Sequence, residues 1–182
     1  GSTETGHVFT QCQYGAFHQN MATCHVDIQP LRTEFGDPEV GRILVTTLDN
    51  PWSVLLRFDV GDLARVWHGA ACPCGRSKGI VIESIEGRTR DITFDTAGRI
   101  VTVKWLDDAL EAADGLTGYQ VEQTGQRNYV MHFAAEPELR VHQVKEPDLW
   151  LGGRHLRIGI FQCRNFFGAH DDIPAVSGFP TC

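Results

Sequence analysis

Four cysteine and histidine residues stand out for the chemistry they can do together: Cys12, His18, Cys72 and Cys74. Their spacing is not a zinc signature by itself. Pooled, they supply soft and borderline donors in the number a tetrahedral zinc ion takes. Cys72-Pro73-Cys74-Gly75 is a tight knuckle that suits a metal better than two separate disulfides. Cys24 and His25, at the start of a strand-like segment, are alternative ligands, and buried free thiols are the simpler alternative to any metal. A metal held by four protein donors is structural, with no open position for chemistry.

A second group is acidic, hydroxylic and basic. Gly1-Ser2-Thr3-Glu4-Thr5-Gly6 is rich in hydroxyls around one carboxylate. Such a segment could hold a phosphate through hydroxyl and backbone donors and a Mg²⁺ ion through Glu4. Leu56 to Arg65 (LRFDVGDLAR) carries Arg57, Asp59 and Asp62 out of an apolar run. Charges there are costly unless paired or used. Val60-Gly61-Asp62 reads as a strand end and turn. Glu86 to Asp91 (EGRTRD) adds Arg88 and Arg90.

These residues need elements to hold them. Ala22 to Leu31 alternates loosely as a strand, and Thr33 to Val40 is a turn cluster. Gly41 to Leu48 (GRILVTTL) and Val54 to Phe58 read as strands joined across DNPWS, with Ala64 to His68 as an extension. Ile80 to Ile85 is another short strand. Asp91 to Val103 reads as a hairpin turning at Asp95 to Gly98. Leu106 to Ala113 has helical spacing and ends near Asp114-Gly115. Tyr119 to Gln123 and Asn128 to Ala134 alternate as paired strands. The later part thus has the β-β-α-β-β order of a small α+β unit.

The chain has 182 residues, enough for one ordinary domain or two small ones, and its 42% hydrophobic content is that of a globular protein. A net charge of −7 argues against nucleic acid or an anionic membrane as a general partner. The Cys-x-Cys pair reads as belonging to a reducing, cytoplasmic compartment. The sequence opens inside a motif and without Met, so the chain is expected to be the C-terminal part of something longer.

The order of the pieces, GSTETG, then GRILVTTLDN leading into LLRFDVGDLAR, then CPCGR, then IEGRTRD, resembles the adenylate-forming superfamily of acyl-CoA synthetases. The CPCGR insert resembles the phenylacetate-CoA ligase branch. The resemblance is clear from Gly1 to about Gln123 and weak beyond. It implies an α+β fold: residues 1–86 as the β-rich C-terminal end of the large AMP-binding domain, and residues 87–182 as a small α+β lid domain.

The resemblance also implies roles. Thr3 would contact the AMP phosphate and Glu4 would ligate Mg²⁺. Asp62 would accept the ribose hydroxyls, with Arg57 and Asp59 bracing its turn. Arg88 would meet ribose or phosphate, and Arg90 would sit at the pivot between domains, where the family often has Asp or Lys. The chemistry implied is two-step. ATP and a small carboxylic acid give acyl-AMP and pyrophosphate, and the thiol of CoA then displaces AMP. The expected partners are therefore the acid, ATP, CoA and the N-terminal domain of the same protein. Family lids close with a Ser-Gly-Lys loop, whereas here Ser177-Gly178 is followed by Phe179, which carries no charge. The other class of protein compatible with these residues is a non-catalytic, zinc-stabilised binding module, a degenerate relative without adenylation activity.

Overall fold

The computed structural model describes residues 1–31, 36–69, 71–95, 97–111, 116–125, 128–135, 148–151, 154–157 and 160–165, with side-chain surroundings given as far as His132. It is mostly strand with little helix. The first six strands are β1 (Phe9–Gln11), β2 (Phe17–Gln19), β3 (Cys24–Pro30), β4 (Val40–Thr47), β5 (Phe58–Val66) and β6 (Val81–Arg88). They form one antiparallel sheet in the order β1-β2-β6-β5-β4-β3.

This sheet must curl. β2 and β3 are joined by residues 20–23 alone, which fold back in a turn with Thr23 N–H donating to the Asn20 carbonyl at 3.3 Å. Yet β6, β5 and β4 stand between them in the sheet. In a flat sheet those four strand spacings would span about 19 Å, too far for a closed turn. Curling brings β2 to β3, and Gln19 Nε2 donates to the Cys24 carbonyl at 2.8 Å across the seam. The enclosed core is Val8, Cys24, Val26, Ile43, Val45, Ala64 and Ile82. Their β-branched and small side chains fit a pleated, tightly curved surface.

The first correction to the sequence reading lies in β5. The strand begins at Phe58, not Val54, and runs through Val60-Gly61-Asp62 without ending there. Arg42 pairs with Leu63 and Leu44 with Asp59, so two steps along β4 match four along β5. The extra residues form a bulge rather than a terminal turn. Gly61 takes φ +80°, open to glycine at little cost, and Asp59 Oδ1 accepts its N–H at 2.9 Å. Asp59 thus braces the bulge as expected, while Arg57 does not: its guanidinium bonds Asp27 at 2.6 Å.

After β6 come a single 3-10 turn (Thr89–Asp91), β7 (Thr93–Phe94) and β8 (Ile100–Val101). The predicted hairpin is present, with Asp95 closing its turn by accepting from the N–H groups of Ala97 and Arg99, each at 2.8 Å. The helix α1 is Val103–Leu110, starting three residues before the predicted Leu106 because Thr102 caps it. Thr102 Oγ1 accepts the Trp105 N–H at 3.2 Å. The Asp114-Gly115 stop falls outside the described residues.

β9 (Leu116–Gly125) and β10 (Asn128–Ala135) pair antiparallel as expected. β11 (Asp148–Leu151) and β12 (Arg154–Arg157) form a separate hairpin, and β13 (Ile160–Asn165) adds to β10 in parallel. Val101, Leu106 and Tyr129 form a second small core. Helix α1 meets the first sheet through Glu86 of β6. This carboxylate is 4% exposed and accepts from Ser84 Oγ at 2.6 Å and Thr102 Oγ1 at 2.7 Å. Arg65 of β5 lies 3.4 Å away. The boundary expected between residues 86 and 87 falls within β6, which continues to Arg88.

Candidate nucleotide cleft and metal centre

Gly1 to Gly6 folds into a closed turn. Ser2 and Gly6 exchange backbone hydrogen bonds of 3.1 and 2.9 Å, and Thr5 N–H donates to Ser2 Oγ at 3.2 Å. The i to i+3 placement of Ser2 and Thr5 was the sequence signal for this turn, and the sequence reading passed over it. The turn leaves Thr3 and Glu4 exposed.

Opposite lie Phe58, Val60 and Arg88, and the space between is a cleft of about 380 Å³ lined on its other side by Gly1–Glu4. Phe58 and Val60 were not singled out from the sequence; alternation along β5 could have placed them on one face with Asp62. A hydrogen bond from its own backbone and one from the Ser2 hydroxyl hold the Glu4 carboxyl below the ordinary carboxylate range, with Arg88 adding to this. Glu4 is therefore an anion at neutral pH, a hard oxygen donor beside a guanidinium.

Arg88 is itself positioned by two contacts. Its Nη1 donates to the Val60 carbonyl at 3.1 Å, and its Nε lies 3.1 Å from Asp62 Oδ1. The β5–β6 register places Asp62 directly across from Arg88. Asp62 thus reaches the cleft through Arg88 and does not line it. Arg90 stands apart: its side chain is largely exposed and pairs only loosely with Asp91, at 3.5 Å. Phe179 and its loop lie outside the described residues.

Cys12, His18, Cys72 and Cys74 converge. One donor atom from each lies within 4.8 Å of all the others. Cys12 follows β1, His18 is in β2 and pairs with Val81 of β6, and the 72–75 turn is closed by Gly75 N–H donating to the Cys72 carbonyl at 3.0 Å. The Cys12 and Cys72 sulfurs are 3.7 Å apart, and Cys74 Sγ is 3.3 Å from His18 Nε2. A tetrahedral zinc with Zn–S of about 2.3 Å and Zn–N of about 2.0 Å has S···S edges of about 3.8 Å and S···N edges of about 3.5 Å. The donor set and these edges fit such an ion.

Burial works against ionisation of Cys12, but the Tyr14 N–H and the Cys72 thiol overcome it and hold that thiol below its ordinary range. The Cys74 amide favours a Cys72 thiolate, but burial and the neighbouring Cys74 and Cys12 sulfurs outweigh it and push Cys72 up. The two alternative ligands are elsewhere. Cys24 is fully buried in the core with Sγ 3.5 Å from the Asn20 carbonyl, and His25 is exposed beside Asp27.

No family model matches the chain. No curated protein matches it either. Solved structures do. O-succinylbenzoate coenzyme A synthetase from Bacillus subtilis, in complex with AMP, aligns with a TM-score of 0.56 at 14% identity over 93% of this chain and 37% of that one. An ATP-bound RpMatB–BxBclM chimera aligns at 0.52 and 16% identity, over 89% of this chain and 36% of that one. The 2-hydroxyisobutyryl-CoA ligase in its postadenylation state, in complex with 2-HIB-AMP, aligns at 0.51 and 17% identity, over 67% and 26%. At these identities the likeness establishes the fold alone: this chain shares the β-rich architecture of a part of each of those structures. The chain spans between 26% and 37% of the length of these structures.

Proposed function

We propose that the chain is the C-terminal portion of an ATP-dependent carboxylate–CoA ligase of the adenylate-forming superfamily, acting on an aryl acid of the phenylacetate type in the cytoplasm. The observation that carries this reading is the cleft. On a fold shared with an AMP-bound coenzyme A synthetase and an ATP-bound chimera, the hydroxyl-rich Gly1–Gly6 turn faces a positioned arginine across about 380 Å³. Residues 1–86 then belong to the large nucleotide-binding domain and residues 87–182 to a lid, with Arg90 at the pivot. The N-terminal domain of the same polypeptide supplies the acyl pocket.

In this reading the acid's carboxylate attacks the α-phosphate of ATP. The bond to pyrophosphate breaks, and the CoA thiol later displaces AMP from the acyl carbon. Nothing is bonded covalently to the protein, so its contribution is positioning and charge stabilisation. The Thr3 hydroxyl donates to a phosphate oxygen. Glu4 is the residue that would hold Mg²⁺, which when bound neutralises phosphate charge; a single carboxylate together with substrate phosphates is a usual Mg²⁺ environment. Arg88 donates to phosphate or ribose. Asp62, which stands behind Arg88, acts on the nucleotide by holding that guanidinium in place.

Cys12, His18, Cys72 and Cys74 would hold a structural zinc. It would tie the short β1–β2 hairpin, and the Gly1–Gly6 turn that leads into it, to the 72–75 loop. That matters because β2 joins β6 through two residue pairs only. A second reading, a non-catalytic zinc-stabilised binding module, is favoured by one observation: Asp62 and Arg88 already satisfy each other.

The test is carboxylate-dependent pyrophosphate release from ATP by the full-length gene product, with phenylacetate and other aryl acids. Release that requires both the acid and Mg²⁺ is expected. AMP binding without release for any aryl acid would remove the substrate class. Absence of AMP binding would leave the binding module.

A further inference from the structure

One wall of the cleft is the Gly1–Gly6 turn, whose own hydrogen bonds, Ser2 with Gly6 and with Thr5, close it on itself. The bonds that fix it to the sheet come at the next two residues. The His7 carbonyl accepts from two side chains, Asn20 Nδ2 at 3.2 Å and Thr23 Oγ1 at 3.1 Å. The Val8 carbonyl accepts the Asn20 N–H at 2.7 Å, and the Val8 side chain is buried in the first core. A carbonyl oxygen has two acceptor positions, so the His7 group is fully satisfied and fixed in direction. It holds the peptide plane from which the wall springs, one residue past Gly6 at φ +67°.

Asn20 and Thr23 belong to the closed turn between β2 and β3, 13 and 16 positions along the chain from His7. That turn does not depend on their side-chain donors. Its closure is made by main chain, with the N–H groups of Thr23 and Cys24 donating to the Asn20 carbonyl at 3.3 and 3.2 Å. Leu48 N–H donates to the Thr23 carbonyl at 2.9 Å and joins the turn to the end of β4. Asn20 Oδ1 accepts the Ala22 N–H at 3.3 Å, which leaves the amide nitrogen to face His7. The two donors are therefore separable from the seam of the sheet: what they hold is residue 7.

We infer that Asn20 and Thr23 are positioning residues of the nucleotide cleft: through the His7 carbonyl they hold Thr3 and Glu4 in place opposite Arg88. The inference deepens the ligase reading above and rests on it. Neither side chain lines the cleft. They act on where the hydroxyl and carboxylate of the wall stand, and a binding site is only as well ordered as the hydrogen bonds that support its contact residues. The proposed zinc acts beyond the far end of β1, at Cys12, whereas this clamp acts at residues 7 and 8, beside the wall itself. Without the clamp the wall samples several positions. Apparent affinity for the nucleotide then falls in proportion to the fraction of time the wall faces Arg88.

Three variants of the full-length gene product test this. Thr23→Val removes one donor to His7. Asn20→Asp keeps an oxygen for the Ala22 N–H but sets an acceptor against the His7 carbonyl. Thr23→Ser keeps the hydroxyl. AMP affinity is measured by calorimetric titration, stability by the thermal unfolding midpoint, and the order of residues 1–8 by hydrogen exchange. Thr23→Val is expected to weaken AMP binding about 3- to 10-fold, the worth of one hydrogen bond, and Asn20→Asp to weaken it further. Both should speed exchange over residues 1–8 and leave the midpoint nearly unchanged, and Thr23→Ser should match the parent throughout. Unchanged AMP affinity in either donor-loss variant would overturn the inference while leaving the ligase reading intact. A loss of affinity that appears equally in Thr23→Ser, or only together with a lowered midpoint, would assign these residues to the fold alone and overturn it too. A parent protein that binds no AMP would sink the ligase reading, and this inference with it.

Discussion

Asp62 and Arg88 face each other across the β5–β6 pairing, with the guanidinium Nε 3.1 Å from the carboxylate. In this ladder Leu63 pairs with Gly87 but Ala64 with Ile85, so the extra residue, Glu86, lies on β6, and an acid from mid-strand β5 meets the last residue of β6. Arg88 is more than half exposed, so the pair contributes only about 0–1 kcal/mol to stability. Asp62→Ala should therefore leave the unfolding midpoint nearly unchanged. On the ligase reading it should weaken AMP binding about 10- to 100-fold, the worth of one or two hydrogen bonds that an unheld Arg88 guanidinium no longer makes. Calorimetric titration of the full-length protein checks this; unchanged AMP affinity would remove Asp62 from the nucleotide site.

Cys72→Ser should abolish binding of one zinc per chain and lower the stability of the β1–β2 edge, because site formation is coupled to folding. Metal analysis of purified protein, with hydrogen exchange over residues 9–19, reads both effects. Retention of zinc by the variant would exclude Cys72 as a ligand. Cys24→Ser should keep the metal, since Cys24 lies in the core away from the other four.

The Glu86 carboxylate is buried and relies on Thr102, Ser84 and Arg65. Thr102→Val removes one of those donors and the helix cap together, and should cost about 1–3 kcal/mol. Thr102→Ser, which keeps the hydroxyl, should restore most of it. Urea unfolding measures the difference; a Thr102→Val midpoint equal to that of the parent would show that Glu86 finds water instead.

The second core gives a pH dependence. Burial, and then donation of its hydroxyl to Asp107 Oδ1 at 2.6 Å, raise the Tyr119 phenol above its ordinary range. Tyr129, whose hydroxyl donates to the Phe94 carbonyl, is raised mainly by burial. A group with a raised folded-state pKa binds its proton more tightly when folded. Its contribution is fully present below the unfolded value of about 10 and is lost as pH rises through the folded value. Stability should thus be flat on this account up to about pH 9.5 and fall above it, and Tyr119→Phe should flatten the alkaline limb. Unfolding midpoints between about pH 8 and 11 test the slope. An unaltered slope in the variant would place the titration elsewhere, with Lys104, raised by its bond to Asp108, as the next group to examine.

Short-range pattern carried much of the fold. Alternation marked β3, β9 and β10, a β-branched apolar run bounded by Gly and Asp-Asn-Pro marked β4, the Asp95 to Gly98 turn marked β7 and β8, and helical spacing marked α1 to within three residues at its start. Each is a local pattern that neighbouring residues express by themselves. The edge hairpin β1–β2 was not legible, because three-residue strands are too short to show a period.

The same division holds for the sites. Residue chemistry and the resemblance nominated Cys12, His18, Cys72 and Cys74, with Cys24 and His25 as alternatives, and only folding could join donors 54 or more positions apart, by pairing His18 with Val81 near the 72–75 turn. Sequence likewise supplied Asp62, Arg88, Thr3 and Glu4. It did not reveal that Arg88 would line the cleft and Asp62 stand behind it, or that Arg90 would be exposed beside Asp91 and not line the cleft. Those outcomes were decided by cross-strand register. Register is set by the bulges in the β4–β5 and β5–β6 ladders and by the curl that a closed turn at residues 20–23 imposes, and neither leaves a local periodic trace in the chain.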